Sequence, residues 1–335
     1  MDIRQIDVED DDVFRAFYEV MRAAELFERP GMPMWSHHEA VVMFRAEDPD
    51  EEKRAYAAFD GDSIVGIASM WLPLHDNLDK TYADFAVAPD SRRRGVGSAL
   101  LDHLAGEARA AGRQILLTQA KIPIEERETH PYRRFAESHG LALASVEISR
   151  ALELPVADEV VQEWMNKAAP HCAGYRIETF VDDIPEELLE SYCYLRNQLA
   201  VDAPTGDIDF EPESQTPESF RIHRATVKRQ GRTVYSTLAI DEAGKAVAQT
   251  DLSVSAGDPD NVYQWGTLVR KDHRGHRLGL AVKAKNLQVM QSAHPGRCRI
   301  ITQNSEVNDQ MVAINELMGF RPLEIVAEFQ LKLAG

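Results

Sequence analysis

The chain carries one short pattern twice, and that repetition restricts its fold more than any other feature. Arg92-Arg93-Arg94-Gly95-Val96-Gly97 follows the apolar run Phe85-Ala86-Val87, and Arg274-Gly275-His276-Arg277-Leu278-Gly279 follows Thr267-Leu268-Val269. The second copy lies 182 positions after the first, whether counted from Val87 to Val269 or from Gly97 to Gly279. Each copy stands between a strand-like run and an amphipathic, helix-like run. A turn in that place aims backbone N–H groups and the positive end of a helix at an anion. A repeat at fixed offset means that one structural plan is used twice.

The two halves read in the same order. In the first, a strand over 3–8 precedes helices over 10–27 and 37–44; a hairpin pairs 54–59 with 64–72; a strand over 82–87 enters the turn; a helix over 96–110 leaves it. A strand over 115–118, a short helix over 132–138 and a strand over 143–152 follow. In the second half the matching segments are a strand over 175–181, helices over 184–199 and 217–229, and strands over 234–240, 246–255 and 263–269. A helix over 278–292, a strand over 299–302, a helix over 310–318 and a strand over 323–333 complete it. The expected class is α/β, with domains at 1–154 and 175–335 joined by a connecting helix and linker at 155–174. A strand, turn, helix and strand in succession give a parallel pair, with the anion site at its opening.

Composition narrows the partners. A length of 335 residues fits two domains, and 44% apolar residues suffice for their cores. A formal charge of −18 speaks against nucleic acid or an anionic membrane as a partner, since both need basic surface. The same field attracts a cationic substrate, and equally serves mere solubility. Three cysteines, Cys172, Cys193 and Cys298, show no Cys-x-x-Cys spacing, so a disulfide framework is not expected and a cytoplasmic setting is. The chain opens without a signal-peptide core and has no run long enough to span a membrane. His37-His38 and His273 with His276 lack partners for a metal site, so no metal is expected.

With these residues in view, the chain resembles the GCN5-related N-acetyltransferase (GNAT) family. Its motif, Gln/Arg-x-x-Gly-x-Gly/Ala after the fourth strand, is matched at every defined position by Arg92 to Gly97. Arg274 and Gly279 match the ends of the second copy, but Arg277 stands where a glycine is expected. In plan the chain is similar to the two-domain GNAT proteins of actinobacteria. The resemblance implies two tandem GNAT-like domains, each a mixed, mainly antiparallel sheet with a splayed parallel strand pair and flanking helices.

The resemblance also implies acetyl-CoA as cofactor. Its diphosphate would lie on Arg92, Arg94, Gly95, Val96, Gly97 and Ser98 in one half, and on Arg274, Gly275, His276, Arg277, Leu278 and Gly279 in the other. The splayed strands, Phe85, Ala86 and Val87 or Thr267, Leu268 and Val269, would offer backbone groups to the pantetheine arm. Asn304 and Asn308 resemble the family's Asn-x(3)-Asn segment, where an amide commonly bonds the pantetheine; Asn308 also reads as a helix N-cap. The family's usual acid, a tyrosine four residues before the last glycine, is replaced by Ala136 and Asn315, with Tyr132 one turn earlier in the first half. The tentative general bases are Asp84, on the strand entering the first turn, and Asp251, on the strand before the second. A lone strand carboxylate also reads as a surface charge.

An acidic loop completes the set. Asp202, Asp207, Asp209 and Glu211 are placed to hold a polycationic amine, or form a solvated turn. The expected function is therefore an acetyl-CoA-dependent N-acetyltransferase for a small, cationic amine, acting as a monomer or homodimer. The second half, with its asparagines and acidic loop, is the expected acceptor side. The alternative is a non-catalytic acyl-CoA-binding or sensing protein, which the missing tyrosines and Arg277 favour.

Overall fold

The computed structural model describes residues 1–333 except Ala203, which falls in the acidic loop. By its contacts the chain divides into two units, Met1–Ser145 with Ala327–Gly335, and Val146–Val326.

The first unit begins with β1 (Asp2–Gln5), α1 (Asp11–Glu25) and α2 (His37–Arg45). Asp10 caps α1 through the N–H groups of Asp12 and Val13, and Ser36 with Glu39 forms a capping box on α2. These caps satisfy helix donors that otherwise lack partners. Phe14 and Phe17 of α1 meet Phe44 of α2 at ring distances of 5.5 and 5.6 Å and anchor an apolar layer on the sheet. The hairpin expected around Gly61 is β2 (Glu51–Asp60) and β3 (Ser63–Pro73), each longer than its apolar core. β4 (Lys80–Val87) runs antiparallel to β3, then the turn leads into α3 (Val96–Ala110) and β5 (Ile115–Ile122). α4 (Pro131–Ser138) follows, then β6 (Ala142–Glu153), of which residues from Val146 onward belong to the second unit.

β4 and β5 are parallel, paired only from Lys80↔Ile115 to Tyr82↔Leu117. Beyond Tyr82 they part, which is the expected splay. α3 approaches the sheet closely because residue 66 has no side chain: a Cβ at Gly66 would stand 2.7 Å from Val96 Cγ1 and 2.9 Å from Leu100 Cδ1. A Gly66→Val protein should therefore lose about 1–3 kcal/mol in urea unfolding, the usual penalty of overpacking. An unchanged midpoint would show that α3 can shift freely.

The second unit contains α5 (Asp158–Ala168), β7 (Arg176–Val181), α6 (Glu186–Asp202), α7 (Pro217–Arg229), β8 (Arg232–Ile240), β9 (Ala246–Ser255) and β10 (Asn261–Val269). Then come α8 (Leu278–Ala293), β11 (Arg299–Ser305), α9 (Asp309–Leu317) and β12 (Arg321–Lys332). β7, β8, β9 and β10 form an antiparallel meander, and β11 lies parallel to β10 from Asn261↔Arg299 to Gln264↔Thr302. The 146–153 part of β6 pairs antiparallel with β11. β10 carries a register shift between Gln264 and Thr267, at the point where its pairing with β11 ends. One apolar layer joins Trp164, Leu280, Met290 and Phe320 to the sheet; the other joins Leu188, Tyr192, Leu195 and Phe220 to Leu238.

β12 is divided as β6 is. Its residues from Ala327 onward belong to the first unit, where the strand ends beside β5 and the N–H of Leu333 donates to the carbonyl of Gln114. A boundary drawn at 154 counts all of β6 with the first half and all of β12 with the second. The compact units differ from that chain division by these two strand segments, and they count the 155–174 connection with the second unit.

Candidate functional site

The two turns have one backbone conformation. In the first, Arg93 and Gly95 have φ of 63° and 82°; in the second, the corresponding Gly275 and Arg277 have φ of 88° and 51°. Each turn thus needs two left-handed residues and supplies one glycine and one arginine, in opposite order. The arginine that departs from the family pattern takes up the required geometry, at a strain of about 1–2 kcal/mol for a residue with a Cβ. Gly95 and Arg277 are the N-caps of α3 and α8, and neither helix has a side-chain cap. Among the described residues, none of the N–H groups of 93–98 or 275–280 donates to the protein. Two sets of aligned, unpartnered donors at helix starts result.

The closing glycines serve packing. A Cβ at Gly97 would stand 3.4 Å from the Phe135 ring, and one at Gly279 would stand 3.1 Å from Ile314 Cδ1. They let α4 and α9 lie against the helix that leaves each turn.

The side chains around the turns differ. In the first unit, Arg93, Arg94 and Gly95 are exposed. Arg92 donates to the Val87 carbonyl at 3.4 Å, and its guanidinium lies 4.2 Å from the Phe27 ring and 5.7 Å from that of Tyr132. Ser98 is held by His139, Oγ to Nε2 at 2.7 Å, and His139 stacks on Phe135. In the second unit, Lys271 Nζ lies 2.8 Å and Arg274 3.2 Å from the Asp202 carboxylate. Arg277 donates to the Lys167 carbonyl at 3.0 Å, and His276 Nδ1 lies 3.2 Å from that of His171.

Asp84 stands on β4 two residues beyond Tyr82, at the mouth of the first splay. Solvent reaches its side chain, yet the surrounding protein desolvates it and raises its pKa above the ordinary carboxylate value; Lys121 opposes the shift and Glu25 adds to it. Glu25, at the end of α1, is bonded to Lys121 of β5 and lies 2.8 Å from Arg29 Nη1. Burial pushes the Glu25 pKa up, but these two cations outweigh it and the net shift is downward. Glu25, Phe27, Lys121 and Phe135 carried no signal of their own in the sequence. Their proximity comes from the packing of α1 and α4, and only the apolar spacing of those helices hinted at it.

Asp251 is 2% exposed. One oxygen accepts from Tyr192 Oη at 2.7 Å and Arg196 Nη1 at 3.2 Å, while the other, Oδ1, has no hydrogen-bond partner. Burial of Tyr192 pushes its phenol up to about 12, so it stays a neutral donor. Gly266, which matches Asp84 by the repeat, is covered: a Cβ there would collide with Leu199. Thr267 Oγ1 lies 2.7 Å from Thr250 Oγ1, Leu268 is buried in the α6 layer, and Val269 packs near Leu278.

Asn304 is buried and accepts from Arg150 at 2.9 Å and Asn315 at 3.0 Å, so it ties β11 to β6 and α9. Asn308 caps α9 by accepting from the Met311 N–H. Asp202 ends α6 with a side chain 5% exposed, whereas Asp207, Asp209 and Glu211 are exposed. The four acids are therefore not equivalent: Asp202 is spent on Lys271 and Arg274.

Comparison with known proteins gives the fold, and a family match over part of the chain. Residues 16–136 match the model of the Acetyltransferase (GNAT) family. Among solved structures, a tandem GNAT protein from the clavulanic acid biosynthesis pathway is similar with a TM-score of 0.78 and 22% identity over 100% of this chain and 99% of that one. A GCN5-related N-acetyltransferase from Sphaerobacter thermophilus aligns at 0.64 and 16% over 100% and 96%. The N-myristoyltransferase of Saccharomyces cerevisiae, with bound myristoyl-CoA and inhibitors, aligns at 0.62 and 10% over 99% and 80%. Among curated proteins, no sequence match is found. No helix among the described residues is long and apolar enough to cross a membrane. The group implied by the fold is an acyl-CoA, and the first turn suits its diphosphate: unpartnered amides, exposed arginines and no carboxylate paired to them among the described residues. The chain has the tandem GNAT fold, and its residues 16–136 match the GNAT acetyltransferase family.

Proposed function

We propose that the chain is an acetyl-CoA-dependent N-acetyltransferase of a small amine, and that the reaction takes place in the first unit's splay. The observation that carries this reading is the presence, on one strand and its following turn, of an open anion cradle and a solvent-reached carboxylate with a raised pKa. Bound acetyl-CoA supplies a thioester carbonyl to be attacked by the amine. Arg92, Arg94 and the amides of 93–98 hold its diphosphate, and the unpaired edge of Phe85, Ala86 and Val87 orients its arm. Asp84 takes the proton from the incoming ammonium, and its raised pKa brings it nearer the working pH of a general base. Asp84 and the overall charge favour a cationic acceptor, whereas Glu25 is already paired with Lys121 and Arg29.

On this reading the acceptor lies in the first unit; the enclosure of Asp251 and the cover of Leu199 over Gly266 support that choice. The free cysteines suit a cytoplasmic working place. Mixing the purified chain with acetyl-CoA and a panel of mono-, di- and polyamines should release free thiol with at least one of them. Binding of acetyl-CoA with no amine-dependent thiol release across the panel would exclude catalysis in favour of sensing.

A further inference from the structure

We propose that Asp202 acts as an internal anion that keeps the second unit's turn in a low-affinity state toward a nucleotide diphosphate, so that the two turns of one chain fill unequally. The inference rests on the reading that these turns take CoA, and it concerns the occupancy of the second. Asp202 is the last residue of α6, and its carboxylate is nearly closed off from water. It faces two cations of the segment that forms the anion cradle, Lys271 at 2.8 Å and Arg274 at 3.2 Å. Arg274 is the counterpart of Arg92, which has no such partner among the described residues and lies instead against Phe27 and Tyr132.

The rest of the second cradle is restrained in the same sense. Arg277 is tied to the Lys167 carbonyl and His276 to that of His171, while Cys172 Sγ lies 3.5 Å from the His276 carbonyl. The backbone is in the anion-binding conformation and its amides are unpartnered, so what sets the second turn apart is the carboxylate facing its cations. A diphosphate arriving there meets two cations that share one carboxylate, and that carboxylate stands beside them. To recruit Arg274 and Lys271 it must draw them away from Asp202. The acid that the sequence offers as a substrate ligand thus opposes a cofactor phosphate.

Removing the carboxylate should reveal the second site. Calorimetric titration of the intact chain with CoA should find a single tight equivalent. Asp202→Asn should add a second equivalent, with affinity raised about tenfold or more, the worth of a lost charge-assisted contact. In Arg94→Glu, where the first cradle is spoiled, tight uptake should vanish; the double variant Arg94→Glu/Asp202→Asn should regain it at the second turn. Two equivalents of similar affinity in the unaltered chain would overturn the proposal without any variant. A single equivalent in both the unaltered and Asp202→Asn chains, with the variant's circular dichroism unchanged, would overturn it too. No uptake by the unaltered chain would instead remove the CoA reading on which the proposal stands.

Discussion

Asp84→Asn should lower kcat by about 10²–10⁴-fold, the usual contribution of a positioned general base, with little change in CoA affinity. The amide is isosteric and cannot accept the ammonium proton, and residue 84 lies on the splayed strand, away from the turn that holds the diphosphate. The pH dependence supplies a second readout. A base works only when deprotonated, so kcat/KM should rise with pH through the pKa of Asp84. Desolvation raises that pKa, with Lys121 acting against it and Glu25 with it, so the acid limb should fall above the ordinary carboxylate range. In Asp84→Asn that limb should disappear. A variant with an unchanged kcat and an intact limb would locate the base elsewhere, and Asp251 would then be the residue to test.

Arg94→Glu should weaken CoA binding by about 10–100-fold while leaving the fold intact. Arg94 is exposed at the crest of the first turn, so its substitution disturbs no core. The variant replaces an attractive charge by a repulsive one where the cofactor's phosphates are expected, and a charge-assisted contact is worth about 1.5–3 kcal/mol, with 1.4 kcal/mol to each tenfold. Because the interaction is electrostatic, the difference between the two proteins should shrink as salt is added. An Arg94→Glu protein that binds CoA as tightly as the parent, at low salt, would show that the first turn does not hold the diphosphate.

Much of the architecture was legible along the chain. The duplicated turn, the hairpin at Gly61, the helices after each turn and the parallel strand that follows all follow from local chemistry: apolar spacing, caps and glycines. The second turn was legible only in part. Arg277 reads as a departure from the motif, yet Gly275 two positions earlier supplies the other left-handed residue, and the pair Arg93 and Gly95 makes the same exchange in the first turn. A motif read position by position cannot show that two φ requirements are shared between two sites.

Side chains were less legible than the backbone. Asn304 and Asn308 resemble pantetheine contacts in the sequence, and Asn308 also reads as an N-cap; in the fold Asn304 joins Arg150 and Asn315, and Asn308 caps α9. Asp202 was grouped with its acidic neighbours, although it alone faces Lys271 and Arg274. Asp251 and Asp84 looked alike as lone carboxylates on strands. One is buried against Tyr192 and Arg196; the other is reached by solvent at the edge of a splay.

The sequence by itself determined the repeat, the order of elements and the two left-handed turns with their helix starts, because backbone conformation and amphipathic spacing depend on residues near in the chain. The tertiary structure alone decided which carboxylate faces water, which arginines face a carboxylate, and how segments of β6 and β12 are allotted to the units. Those depend on burial and on charges brought together from distant positions, such as Asp202 with Arg274 or Glu25 with Lys121, and no local pattern encodes such meetings.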